Sequence, residues 1–148
     1  MTAIKLPSNS KMLSPDFTFG VATASFQIEG GIDDRLPCIW DTFCAKEGTV
    51  VDNSDGSVAC DHYNLWPQDV ELIESLGVDA YRLSISWPRV ITVDGQLNPK
   101  GVKFYTDLLD ALNAKGIKTF VTLYHWDLPQ HLEDQGGWLN RETSYKYA

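Results

Sequence analysis

The sequence predicts an α/β fold of parallel strands: the N-terminal portion of a (β/α)8 TIM barrel, holding about three βα units and therefore incomplete. Three observations carry that reading. A self-similar segment recurs with a period of 39 residues, each copy passes from a helical pattern through a glycine into a β-prone run, and each run closes on a tryptophan. The copies run from Leu76 to Pro88 and from Lys115 to Trp126. Two helix-then-strand units at this spacing imply parallel strands joined by right-handed crossovers. A whole barrel needs about 250 residues, so these 148 residues hold only its opening units, read as one partial domain over 1–148. An open doubly wound sheet is the alternative, but no glycine-rich phosphate loop follows any strand.

Taken in order, the first strand fits Phe17 to Ser25, where Phe17, Phe19 and Val21 alternate with small residues. The first crossover helix shows Trp66, Val70, Ile73 and Leu76 at helical spacing, with Asp69, Glu71 and Glu74 between them. Pro67 marks either its first turn or a kink. Gly77 then suits the left-handed position that ends a helix, and Gly116 repeats the device. In the second crossover helix Asn98 is the N-cap and Pro99 the first helical residue. Val102, Tyr105, Leu108, Leu109 and Leu112 form its buried stripe. A third helix starts after Asn140.

Composition narrows the functional classes. An apolar fraction of 43% and a charged fraction of 22% describe a folded, soluble chain. The net charge of −8 argues against nucleic acid, which requires clustered Lys and Arg; Lys100 and Lys103 instead lie on a solvated helix face. Met1 to Ser14 contain no apolar run of signal-peptide length, and no stretch approaches a membrane span. Cys38, Cys44 and Cys60 are odd in number and lack CxxC spacing, so they read as reduced thiols of a cytoplasmic protein. His62, His125 and His131 fit no metal motif, and no cofactor is expected.

Function in a parallel barrel gathers at the C-terminal strand ends. There the sequence offers Phe26, Gln27 and Glu29, then Ser86, Trp87 and Arg89, then His125, Trp126, Asp127 and Pro129. Amides, imidazoles and indoles beside carboxylates suit a neutral sugar: polar groups bond the hydroxyls and an aromatic ring covers the pyranose C–H face. Each residue also has a plainer reading. Trp87 and Trp126 fit core aromatics, Gln27 a turn, and His125 a satisfied buried imidazole. Arg82, mid-strand, is either half of an ordinary ion pair or the holder of a functional carboxylate.

These residues sit in runs that resemble family 1 glycoside hydrolases. The matching runs are Phe17 to Gly30 (FTFGVATASFQIEG), Trp40 to Phe43, Asp61-His62-Tyr63, Tyr81 to Arg89 (YRLSISWPR), Tyr124 to Pro129 (YHWDLP) and Gly136-Gly137-Trp138, in that order. The resemblance implies a retaining β-glycosidase hydrolysing β-glucosides or related small glycosides. By it, Gln27, His125 and Trp126 bind hydroxyls of the sugar undergoing cleavage, and Arg82 orients the nucleophilic carboxylate. Trp138 and the loop from Cys38 shape the barrel mouth; Cys38 stands where related sequences often carry Ser. The family's acid/base glutamate lies in an Asn-Glu-Pro tripeptide and its nucleophile in Glu-Asn-Gly, and neither occurs here. The chain is therefore expected to be inactive alone. Glu29 and Asp127 lie near strand ends, but the family uses neither position for chemistry. The alternatives are a non-catalytic sugar-binding module and a gene fragment without function. Oligomeric state is not encoded in any of these motifs.

Overall fold

The computed structural model describes residues 5–148. Residues 1–4, the start of the stretch inspected for a leader, lie outside the described residues. Three strands, β1 (Gly20–Ala22), β2 (Ala80–Ser84) and β3 (Lys118–Thr122), form one parallel sheet in the order β1-β2-β3. Around it lie α1 (Ser25–Ile28), α2 (Ile39–Ala45), α3 (His62–Ser75), α4 (Trp87–Val90), α5 (Pro99–Ala114), α6 (Gln130–Glu133) and α7 (Arg141–Tyr147). The long crossovers are α3 and α5, as the repeat requires, and the result is an incomplete barrel. Among the described residues no helix is long and apolar enough to cross a membrane.

Both crossover helices end as their sequences dictate. Gly77 and Gly116 adopt φ of 65° and 73°, and an added Cβ would meet nothing within 4 Å at either, so the need for glycine is conformational alone. The Asn98 side chain accepts the Lys100 N–H at 3.2 Å, capping α5, and Pro99 occupies the first helical position. Asn140 caps α7 in the same way. Pro67 lies in the second turn of α3, neither in the first turn nor at a boundary. Its missing N–H omits one ladder bond, the one that would reach Tyr63.

The main core lies between the sheet and the two crossovers. Val70 and Ile73 of α3 meet Tyr81 and Leu83 of β2, and Phe104, Tyr105, Leu108 and Leu112 of α5 close over them. Burying each such side chain is worth about 1.5–3 kcal/mol. Two stripe positions read from sequence fall outside this core: Leu76 is 57% exposed and Val102 37%. The buried face of α5 is centred on Gly101, Phe104, Tyr105, Leu108 and Leu112. Val102 sits about 100° around the helix from Gly101, and Phe104, absent from the predicted stripe, takes its place.

The first strand is shorter than the predicted Phe17 to Ser25. Phe17 and Phe19 stack on each other at 4.8 Å while partly exposed, and Ser25 already begins α1. A smaller cluster of Trp87, Leu128 and Leu132 packs with Ile39, Tyr124 and Tyr147. Trp87 is thus a core aromatic, 4% exposed, as its plainer reading holds.

Candidate active-site rim

At the C-terminal edge of the sheet, buried polar chains join the three strand ends. The Ser25 N–H donates to Ser84 Oγ at 2.8 Å; Ser84 Oγ donates to Ser25 Oγ at 3.1 Å; Ser25 Oγ donates to Asp127 Oδ2 at 2.9 Å. Ser25 follows β1, Ser84 ends β2, and Asp127 lies just past β3, so one relay of hydroxyls spans the sheet. All three residues are at most 2% exposed. Hydrogen bonds in such a dry setting are costly to leave half made, which fixes the backbone around them.

A second chain holds the other end of α1. Glu29, the residue after that helix, accepts Arg89 Nε at 2.7 Å and the Tyr105 hydroxyl. Arg89 also donates to the carbonyls of Gly30 at 2.7 Å and Gly31 at 3.3 Å, and its guanidinium lies 4.0 Å from the Tyr63 ring centroid. Tyr105 in turn accepts the Ser86 N–H at 2.7 Å. Burial pushes the Glu29 carboxyl up despite the opposing Arg89 charge, and burial beside Glu29 pushes the Tyr105 hydroxyl well up. The four-residue helix carrying Gln27 is therefore clamped at both ends.

Each predicted site residue can now be located. Gln27 is exposed on α1, with its backbone N–H bonded to Ala24 O at 3.0 Å. His125 is half-buried, and Trp126 is 66% exposed with φ of 69°. A left-handed tryptophan is unusual and costs about 1–3 kcal/mol, which the surrounding structure has to offset. It is not the core aromatic of its plainer reading. Gln27, His125 and Trp126 thus lie within two residues of Ser25 or Asp127, the last two members of the hydroxyl relay.

Arg82 projects from the sheet face opposite Tyr81 and Leu83, in register with Ala22 and Phe120. Its Nε donates to Thr122 Oγ1 at 2.9 Å, and among the described residues it makes no ion pair. Glu29 and Asp127, the two rim carboxylates, are 4% and 1% exposed. Burial raises the Asp127 carboxyl while the Ser25 hydroxyl opposes the shift. Both acids are bound into the scaffold, not presented to a substrate.

The loop from Cys38 is stitched to the segment after Trp126. Ile39 N–H donates to Leu128 O at 3.0 Å and Gln130 N–H to Pro37 O at 2.9 Å. Arg35 holds Asp41 through two hydrogen bonds of 2.6 and 2.7 Å, and Asp41 accepts the Cys38 N–H at 2.7 Å. Burial alone would raise the Asp41 carboxyl; Arg35 and the Cys38 N–H outweigh it and hold it low. Burial pushes the Cys38 thiol up to about 12, so it is an inert packing group. Trp138 is 43% exposed and donates from Nε1 to the Tyr124 hydroxyl at 3.0 Å. The sequence reading missed Ser25, which starts α1 just past β1, and Ser84, which ends β2, as rim residues.

A parallel sheet whose strand ends carry this rim is the opening of a (β/α)8 barrel, and comparison with known proteins agrees. The glycosyl hydrolase family 1 profile matches residues 9–148, and the chain belongs to that family. A beta-glucosidase of Agrobacterium sp. is 53% identical over 135 residues, covering 89% of this chain and 29% of the relative. Beta-glucosidase A of Thermotoga maritima is 51% identical over 143 residues, covering 95% and 32%. Among solved structures, the GH1 beta-glucosidase of Exiguobacterium antarcticum B7 superposes with a TM-score of 0.86 at 50% identity, over 90% of this chain and 30% of that one. The virulence factor SghA, solved with its substrate analog salicin, gives 0.83 at 56% identity, over 88% and 30%. The chain spans about a third or less of the length of these relatives.

Proposed function

We propose that this chain supplies the sugar-facing rim of a retaining β-glycosidase that hydrolyses β-glucosides or related small glycosides. Gln27 and His125 hydrogen-bond the hydroxyls of the sugar being cleaved, and Trp126 offers both an indole N–H and a ring face to the pyranose. Arg82 orients the nucleophilic carboxylate. Trp138 and the loop from Cys38 line the mouth. The observation that carries the reading is the buried relay from Ser84 through Ser25 to Asp127, which ties the segments bearing these residues to one edge of the sheet.

Retention requires two carboxyl groups about 5–5.5 Å apart, one a nucleophile and one alternating as acid and base. Glu29 and Asp127 do not serve, because both are buried and already hydrogen-bonded. The catalytic pair therefore comes from sequence other than these 148 residues, and no cofactor takes part. Residues 1–148 act as one partial domain. Three cysteines without disulfides suit the cytoplasm.

The test uses a 2-fluoroglucoside with a good leaving group, which accumulates the covalent glycosyl-enzyme. The enzyme purified from its source cells should release nitrophenol from an aryl β-glucoside and take up one glycosyl mass on a carboxylate outside residues 1–148. The 148-residue chain alone should give no turnover above a Glu29→Gln, Asp127→Asn control. Turnover by the chain alone, or a source protein that neither hydrolyses nor labels, would remove the reading.

A further inference from the structure

We infer that Asp127 is a positioning residue for sugar binding: through Ser25 it sets the sugar-facing residue of α1 relative to the two that follow β3. The inference rests on the function proposed above. Asp127 is 1% exposed and immediately follows Trp126, whose left-handed φ of 69° makes its backbone dependent on a firm neighbour. Its Oδ2 accepts Ser25 Oγ at 2.9 Å, and Ser25 is the first residue of the helix that carries Gln27.

The relay has a direction. The Ser84 hydroxyl donates to Ser25 and the Ser25 hydroxyl donates to Asp127, so the chain must terminate on a pure acceptor. A carboxylate there orients both hydroxyls, and the Ser25 N–H completes the loop on Ser84 Oγ at 2.8 Å. Burial raises the Asp127 carboxyl while Ser25 favours its charged form. Asp127 Oδ1, also buried, has no partner among the described residues. Of the two oxygens, Oδ2 alone reaches Ser25, so this is the side-chain hydrogen bond that ties α1 itself to the segment after β3. Gln27 lies two residues beyond Ser25, and His125 two residues before Asp127. Loss of that bond leaves α1 held by Ser84 and by the Glu29 clamp but no longer tied to the His125–Trp126 segment through Ser25, and a misplacement of about 1 Å between the two costs on the order of 100-fold in rate.

The experiment uses the enzyme from its source cells, with Asp127→Ala, Asp127→Asn and Ser25→Ala variants. The readouts are kcat and KM on an aryl β-glucoside and the inhibition constant for free glucose. Asp127→Ala is expected to lower kcat/KM by about 10- to 100-fold and to weaken glucose inhibition in parallel. Ser25→Ala is expected to do the same, with the double variant no worse than the poorer single. Asp127→Asn keeps an amide oxygen for Ser25 to donate to and should recover at least half of the loss on a logarithmic scale. If Asp127→Ala does not fold, the Ser25→Ala values decide by the same criteria. Wild-type turnover with glucose inhibition unchanged in folded variants would overturn the inference and leave the enzyme reading standing. A wild type without turnover would remove both.

Discussion

The Glu29–Arg89 pair shows how a rim carboxylate can belong to the scaffold. Arg89 has no solvent exposure and spends its donors on Glu29 and on the Gly30 and Gly31 carbonyls. Removing one member of such a pair leaves an uncompensated buried charge, so Arg89→Ala is expected to cost about 3–5 kcal/mol in urea unfolding. Buried pairs can often be replaced by apolar side chains at little cost, but here the partners forbid it. A Glu29→Leu, Arg89→Met double variant leaves the Gly30 carbonyl without a donor and the Tyr105 O–H without an acceptor, each costing about 1–3 kcal/mol. It should therefore remain clearly destabilised. Wild-type stability in the double variant would show that the pair is dispensable and that α1 is held elsewhere.

At the scale of elements, α4 and α5 meet at a joint that tests packing against propensity. Asn98 caps α5 through Lys100 N–H and also donates from Nδ2 to Arg89 O at 2.9 Å and Asp34 O at 3.2 Å. Losing a cap costs about 0.5–2 kcal/mol, and the two further bonds put Asn98→Ala at the upper end. Gly101 is the sharper case. Helix propensity favours Ala over Gly by about 1 kcal/mol, yet an added Cβ would lie 2.0 Å from Arg89 O. Overpacking typically costs about 1–3 kcal/mol, so Gly101→Ala should lower the unfolding midpoint. A raised midpoint would mean that α4 yields. Much of this scale was legible in the sequence. Asn98, Pro99, Gly77 and Gly116 act locally, so they announced both ends of α5 and the C-terminal end of α3, but not its start at His62. Strand β1 was read too long because Phe17 and Phe19 continue its alternation, although they pair with each other outside the sheet. Nor could the rim be read whole: Glu29 and Arg89 lie 60 residues apart, and Ser25 and Asp127 102 apart, with no periodicity linking either pair. The left-handed Trp126 is a tertiary effect that local propensity opposes.

For the molecule as a whole, the open sheet sets the behaviour of the chain on its own. Within the described residues the outer edges of β1 and β3 have no ladder partner, and such edges template further strand pairing. Both faces of β3 are poorly covered: Phe120 on the Arg82 face is 52% exposed, Val121 on the other 38%, and Leu123 just beyond 65%. A recess of about 290 Å³ lies on the Arg82 face between β1, β2 and Phe120. The net charge of −8 opposes association over long range but is screened beyond a Debye length of about 8 Å at physiological salt. Contact along an edge occurs well inside that distance, where apolar burial and backbone pairing dominate. The isolated chain is therefore expected to self-associate in size-exclusion chromatography with light scattering, increasingly so with salt. Phe120→Lys and Leu123→Lys place like charges along the β3 edge and should raise the monomer fraction, as native edge strands do with lysine. A monodisperse wild-type monomer with one sharp unfolding transition would sink the prediction, because it would require the three-stranded sheet to protect both edges unaided.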